Sequence, residues 1–331
     1  MTRRKWLSTI VCGGVALMIG CKKEASTTTA DGKKKITIGM VAKSQSNDVF
    51  VAAHAGADAA AKELGDKYGA AVTIDWKTPV DEDPIKQSEA IEALTRQKVQ
   101  AIIVSCSEAA TLTKSINAAV DAGIPVMCFD SDAPASKRFA YYGTEDASCG
   151  QRITESVIKS MGDKGVVAIL AGNQSAPNLQ KRVVAAKAEI AKHPNVKLLE
   201  SGGGVFYHEE TPEKAAETVA TITNTNPTIT GWAFVGGWPL FTKSALKWEP
   251  GKIKVASCDA LPPQLDYVRS GHVDALFAQD CYGWGHKTVE VVLEKLAGRE
   301  PATPVIIDPL TVVTKENVDA YAKNWETWLK K

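Results

Sequence analysis

From residue 36 onward the chain alternates short β-branched runs with helical stretches, and no other feature limits its fold as strongly. The runs are ITIGMVA (36–42), AVTIDW (71–76), QAIIVS (100–105), IPVMCFD (124–130), VVAIL (166–170), NVKLL (195–199), GWAFVG (231–236), KIKVAS (252–257) and VDALFA (273–278). Helical stretches are expected at 49–64, 84–98, 109–122, 149–161, 179–192, 212–224, 239–247, 261–270 and 284–297. Around 84–98 the pattern is imperfect, with Ile85, Ile91, Leu94 and Val99 mainly three, five and six apart. Strands separated by helices pair in parallel, because the crossover returns the chain to the same end of the sheet and lays a helix on its face. The runs form two sets, 36–130 and 166–278, with no Pro-, Gly- or Ser-rich linker between them. The expected fold is α/β, with two doubly wound parallel-sheet lobes. The last stretch adds two short β-like runs around Asp308-Pro309 and a terminal helix. A length of 331 residues fits roughly two domains. With 44% apolar and 23% charged residues, the chain is not disordered, collagenous or coiled-coil.

The N-terminus differs in kind. Residues 1–20 carry Arg3, Arg4 and Lys5 and no acid, followed by an apolar run from Trp6 to Ile19. A basic head, an apolar stretch and a small residue read as a secretory signal peptide at 1–20. The ending Met18-Ile19-Gly20-Cys21 resembles a bacterial lipobox, with Met18 where Leu is usual, and implies that Cys21 carries a lipid. Residues 21–35 then form a lipidated tether, polar and without apolar periodicity. Past the N-terminus no apolar run approaches the ~20 residues of a membrane span. The formal charge of +1 argues against a nucleic-acid footprint. Removing the signal takes three bases and leaves 36 against 38 acids, a net of −2.

In open parallel sheets, ligands bind beyond the carboxyl ends of the strands. Lys43 to Asn47 follow the first run; Ser105, Ser107 and Glu108 follow the third; Asp130-Ser131-Asp132 end the fourth. In the second set come Asn173 to Asn178, Gly236-Gly237-Trp238, Asp259 and Gln279-Asp280. Amides, carboxylates and hydroxyls with an indole suit a small neutral polyol: planar groups pair hydroxyls, and an aromatic face covers the CH side of a ring. Enzyme signatures are missing: GxSxG, HExxH, GxxxxGK[ST] and GxGxxG after the first strand are all absent. His54, His193, His208, His272 and His286 are scattered, and His208-Glu209-Glu210 reads as a solvated loop. No metal or cofactor is expected. Cys12 falls in the signal; Cys106, Cys128, Cys149, Cys258 and Cys281 read as small core residues, with an isolated disulfide left open.

The order of motifs over roughly 36–315 resembles the ribose-type periplasmic substrate-binding proteins of ABC transporters. The stretches that carry the resemblance are FDSDAPASKRFAYYGTED (129–146), SAPNLQKRVVAA (175–186) and CDALPPQLDYVRSGHVDALFAQD (258–280). It implies two lobes joined by three crossovers, near 141–146, 278–283 and 307–310. The N-terminal lobe would be 36–141 with 283–308, and the C-terminal lobe 142–282 with 309–331. It also implies a monomeric, exported lipoprotein of the periplasm or cell envelope, held at the membrane by its lipid. Such a protein passes a small sugar to an ABC permease of the inner membrane and has no enzymatic activity. Position by position, Asn47, Asp130, Arg182, Asp259 and Gln279 match the family's ligand contacts, and Asn178 lies one turn before Arg182. Of an aromatic pair only Phe50 is kept, beside Val49; Ser131 and Asp132 replace an arginine; an Asn contact falls on Gly237, where the adjacent Trp238 would supply a stacking face. Lys43 and the Asp-Ser-Asp segment are also similar to furanosyl autoinducer and rhamnose receptors, although the acid of the autoinducer receptors falls on Asn178. A sensory receptor for such a ligand is therefore the alternative. Sugar-responsive repressors share the core, but a signal and tether stand where their helix-turn-helix would be.

Overall fold

The computed structural model describes residues 28–29 and 31–328. The segment expected to be a signal peptide, Cys12, the expected lipidation site Cys21 and the first part of the expected tether lie outside the described residues. The later tether residues are not all tether. Thr28 bridges Lys34, and the first strand already begins at Lys34, which pairs with Ala70. Sheet bonds run through the backbone, so a lysine-rich segment can serve as an edge of a strand.

The first part of the chain forms β1 (Lys34–Val41), α1 (Asp48–Lys67), β2 (Ala70–Trp76), α2 (Pro84–Gln97), β3 (Ala101–Val104), α3 (Ala109–Asp121), β4 (Val126–Phe129) and β5 (Ala140–Gly143). The second forms α4 (Asp146–Ser160), β6 (Gly165–Ala171), α5 (Pro177–Ile190), β7 (Val196–Leu198), β8 (Val205–Tyr207), α6 (Pro212–Thr225), β9 (Gly231–Phe234), β10 (Lys254–Cys258), α7 (Pro262–Arg269) and β11 (Ala275–Ala278). The chain ends in α8 (Cys281–Leu296), β12 (Val305–Ile307), β13 (Thr311–Val313) and α9 (Val318–Trp328).

The strands build two sheets. One runs β12-β5-β4-β3-β1-β2, parallel throughout. The other runs β13-β11-β10-β9-β6-β7, with β8 also on β6 and only β13 antiparallel. In each sheet the order reverses beside its first strand, between β1 and β3 and between β6 and β9, and such switch points open a crevice at the strands' carboxyl ends. The chain passes between sheets three times: Gly143 to Asp146, Ala278 to Cys281, and Ile307 to Thr311.

Central strands are buried on both faces; Ile102, Ile103, Val126 and Met127 are fully covered, as parallel sheets require. On α2, Ile91 and Leu94 are buried but Ile85 is exposed. Gln87 turns inward instead: its Nε2 donates to the carbonyls of Ala42 (2.7 Å) and Ser105 (2.8 Å), and its Oε1 accepts from Ser107 N (3.0 Å). One side chain thus ties together the loops leaving β1 and β3.

The expected helix at 239–247 does not form. A single 3₁₀ turn, Trp238–Phe241, opens on Pro239 and stops; Ser244 then takes a left-handed φ of 58°, which no helix continues. The strands β5 and β8 were not expected. All five cysteines among the described residues are buried free thiols, with Cys149 and Cys258 sulfurs 3.6 Å apart. Among the described residues no helix is long and apolar enough to cross a membrane, and no group of three or more His, Cys, Asp or Glu is placed to hold a metal ion.

Candidate functional site

The loops leaving β1, β4, β9, β10 and β11 converge with the start of α5 on one cavity between the sheets. Asp130 and Asp259 end β4 and β10 in the left-handed region, at φ 55° and 65°, a conformation aspartate tolerates better than most residues. Neither caps a helix: α7 starts from Leu261. Asn47 does cap α1, accepting from Val49 N at 3.2 Å, and lines the cavity as well.

The polar groups form two chains. In the first, Lys43 Nζ donates to Asn178 Oδ1 (3.3 Å) and Asn178 Nδ2 donates to Asp130 Oδ1 (3.2 Å). Ser105 Oγ donates to Asp130 Oδ2 (2.6 Å), and Lys43 Nζ lies 4.0 Å from that oxygen. Asn178 belongs to the second sheet's side and its partners to the first, so these bonds hold the lobes together. In the second chain, Arg182 Nε and Nη2 donate to Asp146 Oδ1 (3.0 and 2.8 Å), and Nη2 also to Gln279 Oε1 (2.6 Å). Gln279 Nε2 then donates to Asp259 Oδ1 (2.7 Å). Arg182 Nη1 reaches the Val235 carbonyl at 3.0 Å and Cys258 Sγ at 3.2 Å. Burial raises the pKa of Asp259, with Gln279 and Arg182 opposing it. Burial works against the Lys43 ammonium, but Glu210, Asp130 and Glu82 outweigh it and hold that pKa above the usual lysine range.

Of the residues singled out from sequence, the cavity brings together Lys43, Asn47, Phe50, Asp130 and Asn178 with Arg182, Trp238, Asp259 and Gln279. Asp132 is not among them. Its carboxylate is taken by Arg138, whose Nε donates to Oδ1 and whose Nη2 donates to Oδ2 at 2.6 Å. Sequence reasoning missed Phe241, Trp284 and Glu210, which also line the cavity. Glu210 corrects the reading of 208–210 as a solvated loop. His208 packs edge-on against Trp238, centroids 5.2 Å apart, and a Glu210 carboxylate oxygen accepts from Asn173 N at 3.0 Å. Burial lifts the pKa of Glu210 to about 8 against the pull of Lys43, with Glu82 adding to the rise. Trp284 carried no sequence signal, since only the packing of α8 turns it inward.

Two doubly wound lobes, three passes of the chain between them and hydrogen-bonding groups enclosed at the junction define a two-lobed binding protein of the type I periplasmic class. The chain belongs to the periplasmic binding protein domain family, which it matches over residues 38–300. Among curated proteins it is similar to the ribose import binding protein RbsB of Bacillus subtilis, 24% identical over 54% of this chain and 58% of that protein. It is also similar to the D-ribose/D-allose-binding protein of Pseudomonas aeruginosa, 24% identical over 87% of this chain and 92% of that one. Among solved structures, an ABC transporter solute-binding protein from Burkholderia graminis in complex with D-arabinose is 25% identical with a TM-score of 0.79, over 90% of this chain and 99% of that one. XylFII is 27% identical with a TM-score of 0.74, over 85% and 99%, and is also similar in its complex with LytSN.

Proposed function

We propose that this chain is the substrate-binding component of an ABC importer, capturing a small sugar or sugar-like polyol between its lobes and delivering it to a membrane permease. The observation that carries the reading is the pair of buried polar chains, Lys43–Asn178–Asp130 and Arg182–Gln279–Asp259, drawn from both lobes and facing one cavity. Carboxylates and a guanidinium at fixed positions match vicinal hydroxyls, and each charge-assisted bond contributes roughly 1.5–3 kcal/mol net. Phe50, Trp238 and Trp284 give the same cavity aromatic surface for the apolar face of a ring. The relatives named for ribose and allose, and the neighbour holding D-arabinose, support a carbohydrate ligand.

The mechanism is hinge closure. As seen, the inner cavity has room for water only, about 30 Å³. A sugar therefore enters with the lobes parted, and its hydroxyls exchange with the bonds these side chains make to one another. A mismatched hydroxyl would leave a buried charge unpaired on closing, which gives specificity. No step makes or breaks a covalent bond. The lipid on Cys21 would keep the protein beside its permease.

Thermal-shift screening against pentoses, hexoses, polyols and the furanosyl autoinducer tests this. A rise in Tm with at least one carbohydrate is expected; a response to non-carbohydrates only would refute the reading. The likeness to XylFII, known also in complex with LytSN, favours one second reading: a sensory receptor whose closed form is read by another protein. Co-purification from detergent extracts with a permease, or with a different membrane protein, separates the two.

A further inference from the structure

We propose that the cleft holds two ring subsites, and that the ligand is a neutral disaccharide or comparable glycoside whose second ring lies outside the inner cavity. This rests on the carbohydrate reading above. Glu210 lines both the inner cavity and a second, larger one of about 850 Å³, well within the ~300–1,000 Å³ of small-molecule sites.

This outer cavity is not simply a gap left by parted lobes. Glu82, from the loop after β2, and Asn173, from the loop after β6, stand on opposite lobes and are joined by a bond from Asn173 Nδ2 to Glu82 Oε1 of 3.0 Å. Deeper in, the Lys43–Asn178–Asp130 bonds also join the lobes. The lobes have met, and the outer space persists beside their contacts.

Its lining is chemically continuous with the inner cavity. Trp238 faces the inner space; the His208 ring packs edge-on against it, and His208 and Tyr207 line the outer space. Tyr207, half-buried at the end of β8, offers a ring face with a hydroxyl at its tip. The charge there is one-sided. Asp81, Glu82 and Glu209 line the cavity, and among the described residues no Lys or Arg does. Carboxylates accept from hydroxyls but repel anions, so the second ring is neutral, not a uronic acid or a sugar phosphate.

Titration calorimetry on the purified protein tests this with matched probes: D-xylose against xylobiose, D-glucose against cellobiose and maltose, D-galactose against lactose and melibiose, and an aldobiouronic acid. One neutral disaccharide should bind at least about tenfold more tightly than every monosaccharide, and more tightly than the uronide. Tyr207→Ala should cut that advantage by about tenfold and leave monosaccharide affinity within about twofold. Gln174→Ala, on the exposed wall of the outer cavity, should shift it in the same direction and guards against a misfolded Tyr207 variant. Monosaccharide binding as tight as that of every disaccharide overturns the two-subsite proposal and leaves the carbohydrate reading standing. No binding of any of these sugars overturns the two-subsite proposal and leaves the carbohydrate reading to the thermal-shift screen above.

Discussion

Asp259 and Glu210 show how far single side chains set this site. Asp259 is 5% exposed, has no basic group within salt-bridge distance among the described residues, and burial raises its pKa. Removing it leaves Gln279 Nε2 without its 2.7 Å acceptor, and alanine tolerates the left-handed φ of 65° less well than aspartate. Asp259→Ala should therefore fold with a somewhat lower Tm in buffer and lose the sugar-induced rise, which at a hundredfold excess over Kd is worth about 2.7 kcal/mol in the parent protein; a retained rise would remove Asp259 from the site. Glu210 gives a pH signature. Its folded pKa, about 8, lies above its ordinary 4.5. Below pH 4.5 both states hold the proton and the favourable contribution is complete; between 4.5 and 8 only the folded state holds it, so stability falls as pH rises through that window. Denaturant unfolding at pH 5.5 and 8 should show this loss in the parent protein and a smaller loss in Glu210→Gln. The cavity residues at strand ends were legible because position alone, beyond a parallel strand's carboxyl end, marks them. Asp132 misled because two acids in Asp-Ser-Asp look alike, and only the fold brings Arg138 onto the second. Glu210 was hidden because a run of charge reads as solvated until a folded loop lays His208 against Trp238 and brings Glu210 to the cavity.

At the level of elements, small residues set how closely helices approach and hence where the site residues stand. A methyl group on Gly150 of α4 would lie 2.1 Å from the carbonyl oxygen of Arg182 on α5. The obstacle is backbone and cannot rotate away. Gly150→Ala should therefore displace α5, which carries Asn178 and Arg182, lower stability by about 1–3 kcal/mol and weaken sugar binding severalfold, as calorimetry and denaturant unfolding would report together. Gly123→Ala, where nothing lies within 4 Å, is not a neutral control, because its φ of 84° disfavours any side chain; Ile85→Ala on the exposed face of α2 serves instead. The strand runs rich in Val and Ile were legible as elements since their composition fits strands buried on both faces. Ala140–Gly143 and Val205–Tyr207 were not, being three or four residues long and aromatic instead of β-branched. The segment 239–247 looked helical by composition, and its failure to continue past Phe241 is set by backbone turns that no periodicity records.

For the whole molecule, closure is the motion on which the proposed function depends. Trp238 and Trp284 line the inner cavity, one from each side of the cleft. A bound sugar should shift or quench intrinsic fluorescence, and Trp284→Phe should remove part of that change while the fold is kept; an unaltered response would mean that Trp284 does not sense the ligand. The three passes between lobes have a further consequence, one of timing. The first sheet's outer strand, β12, pairs with β5 (Val305 opposite Tyr141), and α8 packs on α1. Both arrive only after the entire run from α4 to β11 has been made. At ~5–20 residues per second on the ribosome, the first lobe waits roughly 10–30 s for its closing strand. During that interval its edge is unpaired and its helix layer incomplete, so the first lobe completes its fold only once the chain of the second has been made.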